Sequence, residues 1–305
     1  MPAQAVITSL AHAGQPPAPH DLLTLTAWAG EPVALAGIAL LAVCYQRGLR
    51  ALWASAGRGQ VVARWQARTF WAGLGTLAAA LGSPLDALSS ALFSAHMVQH
   101  LLISLVAAPL LALGAPAAVL PRALADTGRR RVARWQGRAR RVASAWPGLP
   151  AVALAVYAAV WFAWHAPPLY DAALRSDAVH AAEHASLLAA ALAFWAPVVR
   201  PRRTPVWAGP LLLLGAAAQG GILAALLVFA PRALYAHGAA TRLWGLDPLS
   251  DQALAGVIMW VPGGIVYLLA AAALFARWLD RDARKGGGDP EPHPDLDREA
   301  MAHAR

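Results

Sequence analysis

Charge is scarce in this sequence. Of 305 residues only 25 are Lys or Arg and 16 are Asp or Glu, while 58% are hydrophobic. A soluble globule carries about 25% charged residues, so the 13% here leaves a water-soluble surface uncoated and the chain reads as a membrane protein. Cysteine is almost missing too. With Cys44 alone, intrachain disulfides and metal sites built from several thiolates are excluded. The ten-residue alternation of a membrane β-barrel is absent, which leaves helices as the spanning elements. The segment "MPAQAVITSLAHAGQPPAPH" lacks the basic start and long apolar core of a signal peptide, although "AHA" before Gly14 mimics a cleavage site. No internal repeat is visible.

What is present is a set of seven apolar runs of the length that a bilayer core requires, about 20 residues. They lie near residues 32–48, 66–83, 89–113, 149–165, 178–199, 207–230 and 251–278. The expectation is an all-α polytopic membrane protein of seven transmembrane helices over residues 32–279. An outer N-terminal tail (1–31) precedes it, and a polar cytoplasmic tail (280–305), expected to be disordered, follows. Basic residues set the orientation, because cytoplasmic loops retain Lys and Arg. With the N-terminus outside, only Arg175, Arg232 and Arg242 of the 25 fall on the outer side. An even number of spans, or a flipped chain, spoils that sorting. The net charge of +9 is therefore assigned to the inner face and its anionic membrane lipids, and no nucleic-acid partner is read from it. The stretch "GRRRVARWQGRARRVASAW" (128–146) admits two readings, an interfacial helix with Trp135 and Trp146 at the boundary or a solvated loop. Trp28, Trp161, Trp164 and Trp244 read as outer belt residues.

The histidines carry the chemistry. His96 and His100 in "SAHMVQHLL" are four apart, hence on one helix face. His96 falls roughly 10 Å below the start of its span. His165 closes the fourth run in "WFAWHAPPLYDAAL", and His180 and His184 form a second i, i+4 pair at the outer end of the fifth. His237 sits in the outer loop before the seventh. Six of the ten histidines thus gather at one level of the membrane, and buried polar groups there usually serve function. A lone membrane histidine is most simply a packing residue; two such pairs point to metal or haem. Imidazole suits zinc, copper and iron, and a thioether neighbour favours Cu(I). Met97 and Met259 are the thioether candidates, although Met97 points about 100° from His96 on a helix. "HAAEH" (180–184) matches an inverted zinc-protease signature with Glu183 as base, in a setting foreign to that soluble family.

Three blocks carry a resemblance: "SPLDALSSALFSAHMVQHLLISLVAAPLLALGAP", "WHAPPLYDAALRSDAVHAAEH" and "DPLSDQALAGVIMWVPGG". In this order they resemble the caa3-type CtaG family of cytochrome c oxidase assembly factors, over most of residues 80–280. The resemblance implies a bacterial plasma-membrane protein that matures haem-copper oxidases by supplying copper to the oxidase copper centre. Its partners are then an oxidase subunit and a copper donor. It implies His96, His100, His165, His180 and His184 as the family histidines, with Asp86, Asp251 and Gln252 at its polar positions.

The residues themselves suggest Cu(I) held by two to four imidazoles and moved by ligand exchange, with no nucleophile required and so no enzyme. Asp86 and Asp251 either favour the dipole at outer helix starts or orient an imidazole, and Glu183 is open to the second role. The prolines of "WHAPPLY" stop the fourth helix after His165, and Pro262 is expected to kink the seventh. Three other readings stay open: a haem protein, a zinc-dependent membrane hydrolase, and a metal-free scaffold. Whether the chain forms a homodimer is open as well.

Overall fold

Each of the seven apolar runs forms a helix. The computed structural model describes residue 19 and residues 31–146, 148–199, 207–235 and 238–286. Trp28, Arg200, Arg202, Arg203, His237 and the tail beyond 286 lie outside the described residues. Among those described, the regular elements are helical: α1 Pro32–Ala56, α2 Arg64–Gly82, α3 Pro84–Ser89, α4 Phe93–Leu101, α5 Ala108–Leu113, α6 Pro116–Val119, α7 Asp126–Ala145, α8 Leu149–Trp164, α9 Pro167–Arg175, α10 Asp177–Val199, α11 Ala208–Val228, α12 Gly238–Leu243 and α13 Pro248–Gly286. Proline opens α1, α3, α6, α9 and α13, where its missing N–H costs nothing and its fixed φ suits the first turn.

The chain is a multi-pass membrane protein. Among the described residues, five helical stretches are long and apolar enough to cross a bilayer: Pro32–Ala56, Phe93–Leu113, Asp177–Val199, Ala208–Val228 and Pro248–Asp280. Helix α8 is too short alone. It is bent by 68° from α9, and the pair counts as a sixth stretch only when taken as one broken span. Helix α2 has the length, but Arg64, Gln66 and Arg68 crowd its first turns. Large apolar side chains stand exposed along the spans, among them Leu40, Leu211, Ile222, Leu226, Val261 and Leu269. A lipid environment explains that exposure where water does not.

Among the described residues two large cores hold the bundle, beside a small cluster around Ala91, Leu92, Ala95 and Ala240. One joins α1, α2 and the α4–α5 stretch around Tyr45, Phe70, Leu74 and Ile103. The other joins α4, α8, α10, α11 and α13 around Phe93, Met97, Tyr157, Phe194 and Tyr267. Close approach depends on glycine at the contacts. A Cβ on Gly73 of α2 would stand 3.0 Å from the Leu111 amide nitrogen and 3.1 Å from the Ala107 carbonyl oxygen, backbone atoms that cannot give.

Between α4 and α5 the chain widens into a π-helical turn over Leu102–Ala107, which hydropathy alone does not reveal. Pro109 explains it. The Ala108 N–H reaches back five residues to the Ile103 carbonyl, and in that register the Ser104 carbonyl would pair with residue 109, which has no N–H. The indole of Trp195 donates to it instead, at 2.9 Å, so a side chain of α10 fixes the turn just after His100.

The arginine-rich stretch resolves to a helix rather than a loop, with Trp135 and Trp146 exposed. Helix α8 ends at Trp164 as the prolines require, and α13 continues through Pro262 to Gly286.

Candidate metal centre

The site forms where the start of α1, the start of α4, the end of α8 and the start of α10 meet. Helix α4 offers His96 and His100 on one face, with ring centroids 4.1 Å apart. Helix α10 brings His180, Glu183 and His184 at i, i+3 and i+4, neighbours on its surface. The turn of about 100° between Glu183 and His184 lets α10 serve two groups. Glu183 joins His96 and His100, and His180 and His184 join Glu31, the residue just before α1. In each group the donor atoms lie within 4.8 Å of one another.

The distances in the first group discriminate between roles. Glu183 Oε1 stands 3.4 Å from His96 Nε2 and 3.5 Å from His100 Nε2, with all three side chains buried. A charge-assisted hydrogen bond is drawn in to about 2.8 Å. Donors on a tetrahedral ion with bonds of about 2.1 Å stand about 3.4 Å apart. The observed spacing is longer than such a hydrogen bond and would fit donors around one ion. Both ring nitrogens of His100 and of His184 are buried with no hydrogen-bond partner among the described residues. Such groups cost about 1–3 kcal/mol each when unsatisfied, and a metal ion would satisfy them.

His165 approaches from α8 and supplies a softer pair. Its Nδ1 lies 2.7 Å from the Trp161 carbonyl oxygen. A carbonyl only accepts, so Nδ1 carries the proton and the neutral ring has its lone pair on Nε2. That nitrogen faces Met97 Sδ at 3.2 Å. Two lone pairs confront each other, an arrangement that a soft cation resolves. Met97 does turn away from His96, but toward the histidine of another helix. Met259 is buried in the apolar core, and Met97 is the thioether brought to a ring nitrogen.

The acidic and amide residues mostly position α4. Asp251, from the first turn of α13, accepts from the Phe93 N–H at 2.7 Å and the Ser94 N–H at 3.2 Å, and takes the Ser94 hydroxyl as well. Its carboxylate thus caps α4 from outside, where the first amides have no intrahelical acceptor. Asp86 accepts from Gln99 Nε2 at 2.7 Å, and the same amide donates to the Ala80 carbonyl at 2.9 Å. Gln99 precedes His100, so this latch sets the rotation of α4. Gln252 accepts from the Leu234 N–H and donates to the Leu227 carbonyl. It holds the loop from which Tyr235 donates to the His165 carbonyl at 2.9 Å. Phe93 packs edge to face on Tyr170, and Tyr235 lies tilted against both rings.

A family comparison matches residues 43–281 to the model of the cytochrome c oxidase caa3 assembly factor (Caa3_CtaG). The chain belongs to this family. The blocks that resemble CtaG in the sequence all lie within the matched residues. Two uncharacterized mycobacterial proteins, from Mycobacterium bovis and Mycobacterium tuberculosis, are each 27% identical to it over 297 residues, covering 92% of this chain. They are longer: the chain spans 44% of their length. No solved structure matches it.

Glu31 is the residue that sequence reasoning missed. Its Oε1 is 2.9 Å from His180 Nδ1 and 3.6 Å from His184 Nδ1. Burial pushes its carboxyl up, but the two imidazoles outweigh this and hold it well below the ordinary carboxylate range. The available signal was an acidic residue directly before Pro32, which reads simply as a helix start.

Proposed function

We propose that this CtaG-family protein binds copper as cargo and delivers it to the copper centre of a haem-copper cytochrome c oxidase. The observation that carries the reading is the buried group His96, His100 and Glu183 at coordination spacing, with the His165 and Met97 donors beside it. The thioether and the imidazoles suit Cu(I). The role is that of an assembly factor rather than an enzyme, since ligand exchange with an oxidase subunit needs neither nucleophile nor turnover.

The membrane reading that accompanies it has seven crossings in the bacterial plasma membrane, α2 and the α8–α9 pair included. The N-terminus is outside and the C-terminus cytoplasmic. The distribution of arginines supports it, as does the gathering of the His-bearing helix ends at one end of the bundle. That end is then the outer one, where cargo copper arrives from a donor.

A haem reading is disfavoured by the packing: rings in mutual contact at centroid distances of 4.1–6.3 Å leave no slot for a macrocycle. The test is oxidase copper content in cells. Replacing the chain by a His96→Ala/His100→Ala variant made at normal levels should yield oxidase depleted in copper and restored by added copper. Oxidase with full copper content in that strain contradicts the proposal.

A further inference from the structure

The group of Glu31, His180 and His184 is not used by the copper group just described, and Glu31 lies outside the residues matched by the family model. Its three side chains come from two helix starts. Helix α1 begins directly after Glu31, and the first turns of α10 carry both histidines. The backbone fixes the carboxylate, because the Glu31 N–H donates to the Leu81 carbonyl at 3.2 Å and its own carbonyl accepts from Leu35.

A salt bridge locking α1 to α10 accounts for part of this geometry, the 2.9 Å approach to His180. It does not account for His184. That ring is buried, neither of its nitrogens has a hydrogen-bond partner among the described residues, and its Nδ1 stands 3.6 Å from the same Glu31 oxygen. One carboxylate oxygen and two ring nitrogens converging on one point, one of them otherwise unsatisfied, are the ligand set of a borderline metal ion.

Exposure grades inward from this group. The side chain of His180 is 16% exposed, that of His184 4%, and those of His96 and His100 1% each. The rings are also contiguous. His96 lies 5.6 Å from His180 with the planes 27° apart, and His184 lies 5.6 Å from His100. An ion can therefore pass from the outer to the inner group by exchanging one imidazole at a time. It is never stripped of ligands in an apolar interior, where a bare charge is prohibitively costly.

We infer that Glu31, His180 and His184 form a second, outer metal site that receives copper and passes it to the site of His96, His100 and Glu183. The inference rests on the copper reading above, and adds to it a second ion, an entry point and a carboxylate ligand. The copper keeps its oxidation state throughout, so no co-reactant is needed.

The experiment is anaerobic titration of the full chain in detergent with Cu(I) against a competing chromophoric chelator. The variants are Glu31→Gln, His180→Asn and His96→Ala/His100→Ala, with circular dichroism as the check on folding. The wild type should bind about two copper ions per chain, and each variant about one. His180→Asn, at the most exposed position, serves if Glu31→Gln fails to fold. One ion in the wild type that is retained in Glu31→Gln and His180→Asn overturns the outer site and leaves the inner one standing. Two ions retained in those variants overturn the assignment of ligands. No copper in the wild type overturns the underlying copper reading together with this one.

Discussion

Asp251→Ala should loosen the metal centre without touching it. The Asp251 carboxylate is buried and accepts three hydrogen bonds from the first residues of α4: the Phe93 N–H, the Ser94 N–H and the Ser94 hydroxyl. A hydrogen bond to a charged group contributes about 1.5–3 kcal/mol net. Two amide bonds of that kind give about 3–6 kcal/mol. The truncation also leaves the positive end of the α4 dipole uncompensated. Asp251→Asn keeps one acceptor oxygen but no charge, and should lose roughly half as much. His96 and His100 lie within the next two turns, so their convergence on Glu183 should loosen with the helix start. The assay is heat unfolding in detergent followed by tryptophan fluorescence, with copper retention measured on the same samples. Wild-type stability and copper retention in Asp251→Ala would refute the capping argument.

Two further substitutions probe the neighbouring contacts. Met97→Leu conserves volume in a buried position, so the fold should lose less than about 1.5 kcal/mol. Its Cu(I) affinity should fall by about ten- to a hundredfold, the range for losing a partner at a metal site, while Zn(II) affinity stays unchanged; competition titrations with both ions check this. Gln99→Ala removes the donor shared by Asp86 and the Ala80 carbonyl. It should destabilise the protein by about 2–4 kcal/mol, read by thermal unfolding.

Much of this was legible in the sequence because lipid imposes a simple rule: apolar runs of sufficient length become helices that satisfy their own backbones. All seven runs became helices, although the third gives its Ser104 carbonyl to Trp195, and the prolines after His165 ended α8 where expected. The helical period also placed His96 with His100 and His180 with His184. What it could not supply was the relation between helices. Glu183 was correctly turned from His184, yet its partners sit on α4, 83 and 87 residues earlier in the chain. Met97 was correctly turned from His96, yet His165 comes to meet it. Asp251 was read as serving its own helix or an imidazole, whereas it caps a different helix. Glu31 has no spacing that ties it to His180, and the π turn depends on one proline and one tryptophan nearly ninety residues apart.

The most direct measurement is the copper content of the detergent-purified protein after reductive loading with Cu(I), for the wild type and for His96→Ala/His100→Ala. Copper that withstands buffer exchange is expected in the wild type, with a loss of the inner ion in the variant at unchanged helical content. A wild type that holds no copper, or a variant that holds as much as the wild type, contradicts it.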